Sequence, residues 1–151
     1  MRRPLVLLAL LPTVVLAQGL HHFSLVASLV PAKGPGRVAH VAVSFRALDP
    51  DLRLNESPAP RLTLDLEQTV LVDRQPSPNR TPGSSEAADY DPLTARYHDL
   101  ATPVLFPVAL APTAPKGEQM VKARVVFFYC SQREAWCRRG EREITIPVVV
   151  R

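Results

Sequence analysis

The sequence predicts an all-β protein built as an antiparallel β-sandwich of about seven strands. Three observations support this fold class. Apolar and polar side chains alternate with a period of two in most ordered segments, and no segment shows the periodicity of an amphipathic helix. Sixteen prolines against six glycines in 151 residues interrupt long helices and favour many short elements. Since 46% of the residues are hydrophobic, the chain can form one domain with a substantial core.

The N-terminal segment has the pattern of a secretory signal peptide. Arg2 and Arg3 precede an uncharged apolar run, Pro4–Leu16, and short side chains follow at the positions that signal peptidase recognises. The run is too short to span a bilayer comfortably, although an uncleaved N-terminal anchor stays open as the alternative. The predicted boundaries are residues 1–17 for the signal peptide and 18–151 for the β-domain.

Export determines the chemical context of the mature chain. We expect a periplasmic or extracellular location, where a disulfide bond forms and persists. Without Arg2 and Arg3 the net charge falls from +4 to +2, and the remaining basic residues are scattered. The sequence therefore predicts no nucleic-acid partner, and no motif for a cofactor is present.

The first half of the domain contains three predicted strands. His22–Val30 and Val38–Leu48 alternate in polarity and are separated by the turn-forming segment PAKGPGR. A second turn, at Asp49–Asp51, precedes the predicted strand Arg61–Val72, which has the clearest alternation in the chain. Its leucines are expected to share one face: Leu62, Leu64 and Leu66.

A long polar loop is predicted over residues 74–91, because this stretch is rich in proline and serine and contributes nothing to a core. Three further strands follow. Thr102–Leu110 carries two prolines and is placed at an edge or a bulge. Met120–Cys130 is apolar on both faces in its second half, as a central strand would be, and Arg142–Val150 closes the domain.

Cys130 and Cys137 are the only cysteines, and six residues, SQREAW, separate them. If the flanking strands form a hairpin, the two side chains approach to bonding distance. A ring this small stabilises a fold by only about 2.5 kcal/mol. Three interpretations stay open: a structural bridge, which the spacing alone favours, a redox-active pair, and a metal site. The four histidines lack the paired spacing of a zinc site, so no metal is predicted.

A redox-active pair in this sequence needs its own means of activation. The Cys-x-x-Cys motif at a helix start, which lowers the pKa of a thiol, is absent. Activation would then come from a nearby carboxylate or from an attacking thiolate of a partner. Glu134 lies between the cysteines and is a candidate base, with a solvated loop charge as the alternative interpretation.

The C-terminal stretch ARVVFFYCSQREAWCRRGEREITIPVVV resembles part of a known domain, the N-terminal periplasmic domain of the thiol–disulfide interchange protein DsbD. That family also has a strand ending in a cysteine flanked by aromatic residues, a short loop, and an aromatic residue before the second cysteine, a position that Trp136 takes. The segments FSLVASLVPAKGPGRVAHVAVSF, LRLNESPAPRLTLDL and DYDPLTARYHDLATPVLFPVAL are similar to upstream parts of the family, so the resemblance covers most of the mature chain.

The resemblance implies an immunoglobulin-like sandwich with a reversible disulfide between Cys130 and Cys137. Such a domain receives electrons from a thioredoxin-like or membrane thiol–disulfide carrier and passes them to exported thiol proteins, as a component of a protein-disulfide reductase system. The family's cap loop corresponds to Asp89, Tyr90 and Asp91, with Tyr90 as the ring that would shield the cysteines. The alternative is a non-catalytic sandwich for binding or assembly, in which the disulfide is structural.

Overall fold

A computed structural model describes residues 22–33, 38–73 and 95–151. Within these ranges the chain forms eight strands and no helix, which confirms the all-β class. The strands are β1 Phe23–Val30, β2 Ala39–Ala47, β3 Leu52–Leu54, β4 Arg61–Leu64, β5 Leu71–Asp73, β6 Val104–Leu110, β7 Gly117–Ser131 and β8 Trp136–Val150. No helix of sufficient length and hydropathy to cross a membrane occurs in this part of the chain.

The strands form two antiparallel sheets. The first sheet has the order β1-β2-β6-β5. In the second sheet β7 is central, and β8 pairs with it along its whole length, from Gly117 opposite Val150 to Ser131 opposite Trp136. Because β8 occupies one edge of β7, β3 and β4 both pair with the other edge. β3 pairs with its C-terminal end and β4 with its middle part.

Side chains of both sheets contribute to one hydrophobic core. Alternate residues of β7 are buried from Val121 to Tyr129, and β1 of the first sheet lies against β8 of the second. Aromatic rings join the sheets: the ring centroid of Phe127 is 5.6 Å from that of Phe23 and 5.2 Å from that of Phe45, with edge-to-face geometry. Such pairs add stability beyond the area that they bury.

Gly140 of β8 is required by this aromatic packing. It lies directly opposite Phe127 in the β7–β8 pair. A Cβ atom at Gly140 would be 2.5 Å from the Cζ atom of the Phe127 ring, far inside van der Waals contact. The absence of a side chain at Gly140 therefore leaves room for the Phe127 ring against β8.

The predicted strand Arg61–Val72 is wrong as a single element, because the chain turns within it and forms β4 in one sheet and β5 in the other. Asp65 causes the turn: its Oδ1 atom accepts the backbone N–H of Glu67 at 3.1 Å, in competition with continued strand pairing. Gln68 then accepts the N–H groups that lead into β5. Leu66 is consequently 99% exposed instead of sharing the buried face of Leu64.

Two further elements differ from the sequence expectation. β8 begins at Trp136 and not at Arg142, because the polar segment between them continues the pairing with β7. β3 has only three residues and gives no periodic signal of its own. The predicted signal peptide at 1–17 and the polar loop at 74–91 lie outside the described residues.

Replacement of Leu64 and Leu66 by alanine tests the corrected turn. Leu64 is 9% exposed, so Leu64→Ala should lower the free energy of unfolding by about 2–5 kcal/mol. Leu66→Ala should change it by less than about 0.5 kcal/mol, since the side chain is already in water. Urea unfolding of the two variants measures both values. Equal losses would show that Leu66 shares the buried face after all.

Candidate functional site

The two cysteines lie directly opposite each other in the β7–β8 hairpin. Their sulfur atoms form a disulfide bond with an S–S distance of 2.00 Å, and the two Cα atoms are 4.0 Å apart. This Cα separation is nearer to that of a non-hydrogen-bonded antiparallel pair, about 4.5 Å, than to that of a hydrogen-bonded pair. The predicted hairpin is thus confirmed, although the turn itself is shorter than the predicted loop and spans residues 132–135.

The disulfide lies on the face of the hairpin that points away from the core. Side chains alternate along a strand, and the neighbouring Tyr129 belongs to the hydrophobic core. Cys130 nevertheless has no exposed surface, whereas Cys137 is half-buried. The pair therefore offers solvent or a partner only one of its two residues.

Asn55 contacts the buried member of the pair. It follows β3 directly and continues the strand ladder, because its backbone N–H donates to the carbonyl oxygen of Phe128 at 2.9 Å. Its side chain is fully buried, and its Oδ1 atom lies 3.2 Å from Sγ of Cys130. Within the described ranges, its Nδ2 atom has no hydrogen-bond partner.

The chain leaves the strand ladder directly after Asn55. Seven steps along the chain, from Leu54 to Arg61, correspond to only three steps along β7, so residues 56–60 form a bulge between β3 and β4. A short segment pairs with the outer side of β3: the N–H of Glu56 donates to the carbonyl of Arg96, and the N–H of His98 donates to that of Leu54, both at 2.8 Å. This packing fixes the backbone on both sides of Asn55.

Asp51 fastens the hairpin turn to the start of β3. The Ser131 hydroxyl donates to Oδ2 of Asp51, and the N–H of Arg133 donates to Oδ1 at 3.0 Å. Ser131 Oγ in turn accepts the N–H of Glu134 at 3.1 Å. The Ser131 hydrogen bond is the main cause that holds the pKa of Asp51 below its usual value, and the Arg133 N–H acts in the same direction against the opposing effect of burial.

Trp136 and Glu134, both predicted as part of the environment of the pair, contact each other. The Trp136 indole N–H donates to a carboxylate oxygen of Glu134 at 2.6 Å, and the Glu134 side chain is exposed. The Trp136 ring packs edge-to-face on Tyr129 at 5.9 Å, and the guanidinium of Arg138 lies 4.4 Å above it. Because Trp136 precedes Cys137 by one residue, its side chain is on the opposite face of the hairpin from the disulfide.

His22 closes this aromatic cluster from the other sheet. Its Nδ1 atom is 2.8 Å from the Tyr129 hydroxyl oxygen, and its ring lies 5.7 Å from that of Trp136. Burial raises the pKa of Tyr129, against the opposing positive charges of Arg138 and Arg142. The hydroxyl therefore stays protonated and available for this hydrogen bond.

The structure describes four of the predicted site residues. Cys130 and Cys137 are joined, and Glu134 lies with Trp136 beside the turn. The predicted cap residues, Asp89, Tyr90 and Asp91, lie outside the described residues, so their role stays a prediction. In the described ranges, no cluster of three or more histidine, cysteine or acidic side chains is arranged to hold a metal ion.

Sequence reasoning missed Asn55 and Asp51. Asn55 stands in the segment LRLNESPAPRLTLDL, which entered only through its resemblance to a family segment with an asparagine before a proline that leads into a strand. Asp51 was assigned to a turn, and a turn aspartate gives no indication of the distant hairpin that it binds. Comparison with models of known protein families, with curated proteins and with solved structures gave no match.

Asp51→Asn tests the attachment of the turn. The folded-state pKa of Asp51 is lowered, so its stabilising effect is complete above the unfolded-state value of about 3.9 and is lost as the pH falls through the folded-state pKa. We expect the variant to be less stable than the parent at neutral pH, and the difference to shrink in acid. Urea unfolding across this pH range measures it.

Asp73→Asn is the matched control for the Asp51 experiment. Burial raises the pKa of Asp73, so ionisation of this residue destabilises the folded state as the pH rises. The stability of Asp73→Asn relative to the parent should therefore increase from acid to neutral pH, with the opposite sign. A pH-independent difference for Asp51→Asn would contradict the assigned role of its carboxylate.

Proposed function

We propose that this protein is an extracytoplasmic thiol–disulfide interchange module whose Cys130–Cys137 disulfide is reduced by one partner and re-formed by another. The observation that carries the proposal is the unequal exposure of the pair: Cys137 is half-buried at the surface of the hairpin, whereas Cys130 is fully buried behind it. We infer that Sγ of Cys137 is the sulfur that a partner attacks and that Sγ of Cys130 is the leaving group.

The position of the disulfide in the hairpin also favours exchange over a purely structural role. β7 and β8 are paired at fifteen successive positions, and the disulfide joins one of these pairs. The ring that it closes contains few residues, so its effect on the unfolded chain is worth only about 2.5 kcal/mol. The pairing and the core hold the hairpin together without it.

The exchange follows from this geometry. A thiolate of a partner dithiol bonds to Sγ of Cys137, the Cys130–Cys137 bond breaks, and Sγ of Cys130 leaves with the electron pair. The second partner thiolate then bonds to the partner sulfur of this mixed disulfide and releases Cys137. The partner ends as a disulfide and the pair as a dithiol, so two electrons and two protons pass from the partner to this protein.

The proposed partners are those that the resemblance to the DsbD domain implies. A thioredoxin-like or membrane thiol–disulfide carrier supplies the electrons, and exported thiol proteins receive them. The same proposal includes an immunoglobulin-like sandwich arrangement of the two sheets, a signal peptide at residues 1–17 and a periplasmic or extracellular location. A disulfide is consistent with such a compartment, because cytosolic conditions keep most thiols reduced.

The reduction potential of the pair distinguishes exchange from a structural bridge. Structural disulfides of secreted proteins have potentials below about −300 mV, whereas disulfides that exchange have higher values. We expect a potential above about −300 mV, measured by equilibration in buffers of reduced and oxidised dithiothreitol. A lower value would support the non-catalytic binding or assembly module and would reject the exchange hypothesis.

Single cysteine variants test which sulfur is attacked. In Cys130→Ala the Cys137 thiol remains, and we expect its thiolate to form a mixed disulfide with a thioredoxin-like protein whose only active-site cysteine carries thionitrobenzoate in disulfide linkage, with thionitrobenzoate as the leaving group. In Cys137→Ala the buried Cys130 remains, and this product should form at least tenfold more slowly. Non-reducing gel electrophoresis follows both reactions, and circular dichroism checks the fold. Equal rates would contradict the assigned direction of attack.

A further inference from the structure

The buried amide of Asn55 has an unusual relation to the disulfide. Its Oδ1 atom lies 3.2 Å from Sγ of Cys130, which is hydrogen-bonding distance for a sulfur donor. A disulfide sulfur carries no proton, so this contact is not a hydrogen bond while the pair is oxidised. Among the described residues, Nδ2 of the same amide also has no partner.

An amide in this situation is energetically costly. Asn55 is fully buried, and burial of a polar group without hydrogen bonds opposes folding. The backbone on both sides is held, since the N–H of Asn55 donates to Phe128 and the carbonyl of Leu54 accepts from His98. The Asn55 side chain is therefore held next to Sγ of Cys130 and has no access to water.

Reduction changes the chemistry of this contact. When the disulfide opens, Sγ of Cys130 becomes a thiol, and its S–H group has an acceptor already in place at Oδ1 of Asn55. The hydrogen bond thus exists only in the dithiol form. Sγ of Cys130 is the leaving sulfur in the proposed exchange, and Oδ1 of Asn55 favours its protonated, reduced state.

We propose that Asn55 stabilises the dithiol form of the pair relative to the disulfide, and so raises its reduction potential. The biological meaning of this inference rests on the proposed function, because the reduction potential of a purely structural disulfide has no functional role. The chemical step is the reduction already described: a dithiol reductant supplies two electrons and two protons, the Sγ–Sγ bond breaks, and one proton remains on Cys130 facing Asn55.

Asn55→Leu tests the inference, because leucine has a similar volume and no hydrogen-bonding group. Loss of one neutral hydrogen bond in the dithiol should shift the equilibrium about fivefold toward the disulfide. For a two-electron couple this shift corresponds to a potential lower by about 20 mV. Equilibration with dithiothreitol measures it without any protein partner. A potential that is unchanged or higher than that of the parent would overturn the proposal.

Ser131→Ala is the matched control. Ser131 is also buried and lies next to Cys130 in β7, and the substitution removes its hydrogen bonds to Asp51 and to the N–H of Glu134. Neither bond depends on the redox state, so the variant should be destabilised equally in the oxidised and reduced forms and keep its potential. Asn55→Leu should lower the free energy of unfolding of the reduced form relative to that of the oxidised form. Urea unfolding of both forms supplies these values.

A spectroscopic measurement keeps the inference testable if Asn55→Leu does not fold. In Cys137→Ala the only thiol is Cys130, and its S–H stretching band in the infrared should lie at lower frequency than in the Cys137→Ala/Asn55→Ala double variant. Identical bands would overturn the proposal. The outcome is also separable from the proposed function, because a parent potential in the range of structural disulfides rejects exchange but leaves the Asn55 shift measurable.

Discussion

Fifteen consecutive residues of β7 pair with β8, and most other features of the molecule depend on this hairpin. One face of it supplies the centre of the core, including Phe127 packed over Gly140. The other face carries the disulfide. β3 and β4 share the edge of β7 that β8 leaves open, and Asn55, which continues the β3 ladder, lies against Cys130. A change in the register of this one pair would therefore disturb the core and the cysteine site together.

The alternation of the side chains separates two environments that are one residue apart in sequence. Trp136 joins Tyr129 and His22 in an aromatic cluster that closes the core side of the hairpin end. Cys137, the next residue, is on the opposite face. The cluster and the Asp51 contacts to the turn hold the end of the hairpin, where β3 also pairs with β7 up to Ser131. Rigidity on one face thus gives the sulfur atoms on the other face a fixed position.

The sequence predicted those features that depend on local periodicity. The second half of Met120–Cys130, which is apolar on both faces, indicated the central strand, and the spacing of the cysteines was compatible with the hairpin that joins them. Leu66 was misplaced because the turn at Asp65 is a side-chain hydrogen bond inside an unbroken alternating pattern. The start of β8 was missed because its polar residues are paired on an outer strand. Asn55 contacts Cys130, which lies 75 positions later in the chain, and no periodic pattern in the sequence encodes such a contact.

The register of the hairpin also influences the behaviour of the pair once it is reduced. The fifteen paired positions would still hold the two thiols opposite each other, so each would experience the other at a very high effective concentration. Closure would need no conformational search, which favours the bond. The Asn55 contact acts in the opposite sense. In the proposed exchange, the Asn55 hydrogen bond would partly offset the tendency of the two paired thiols to close, and the partner that docks would set the direction of electron transfer.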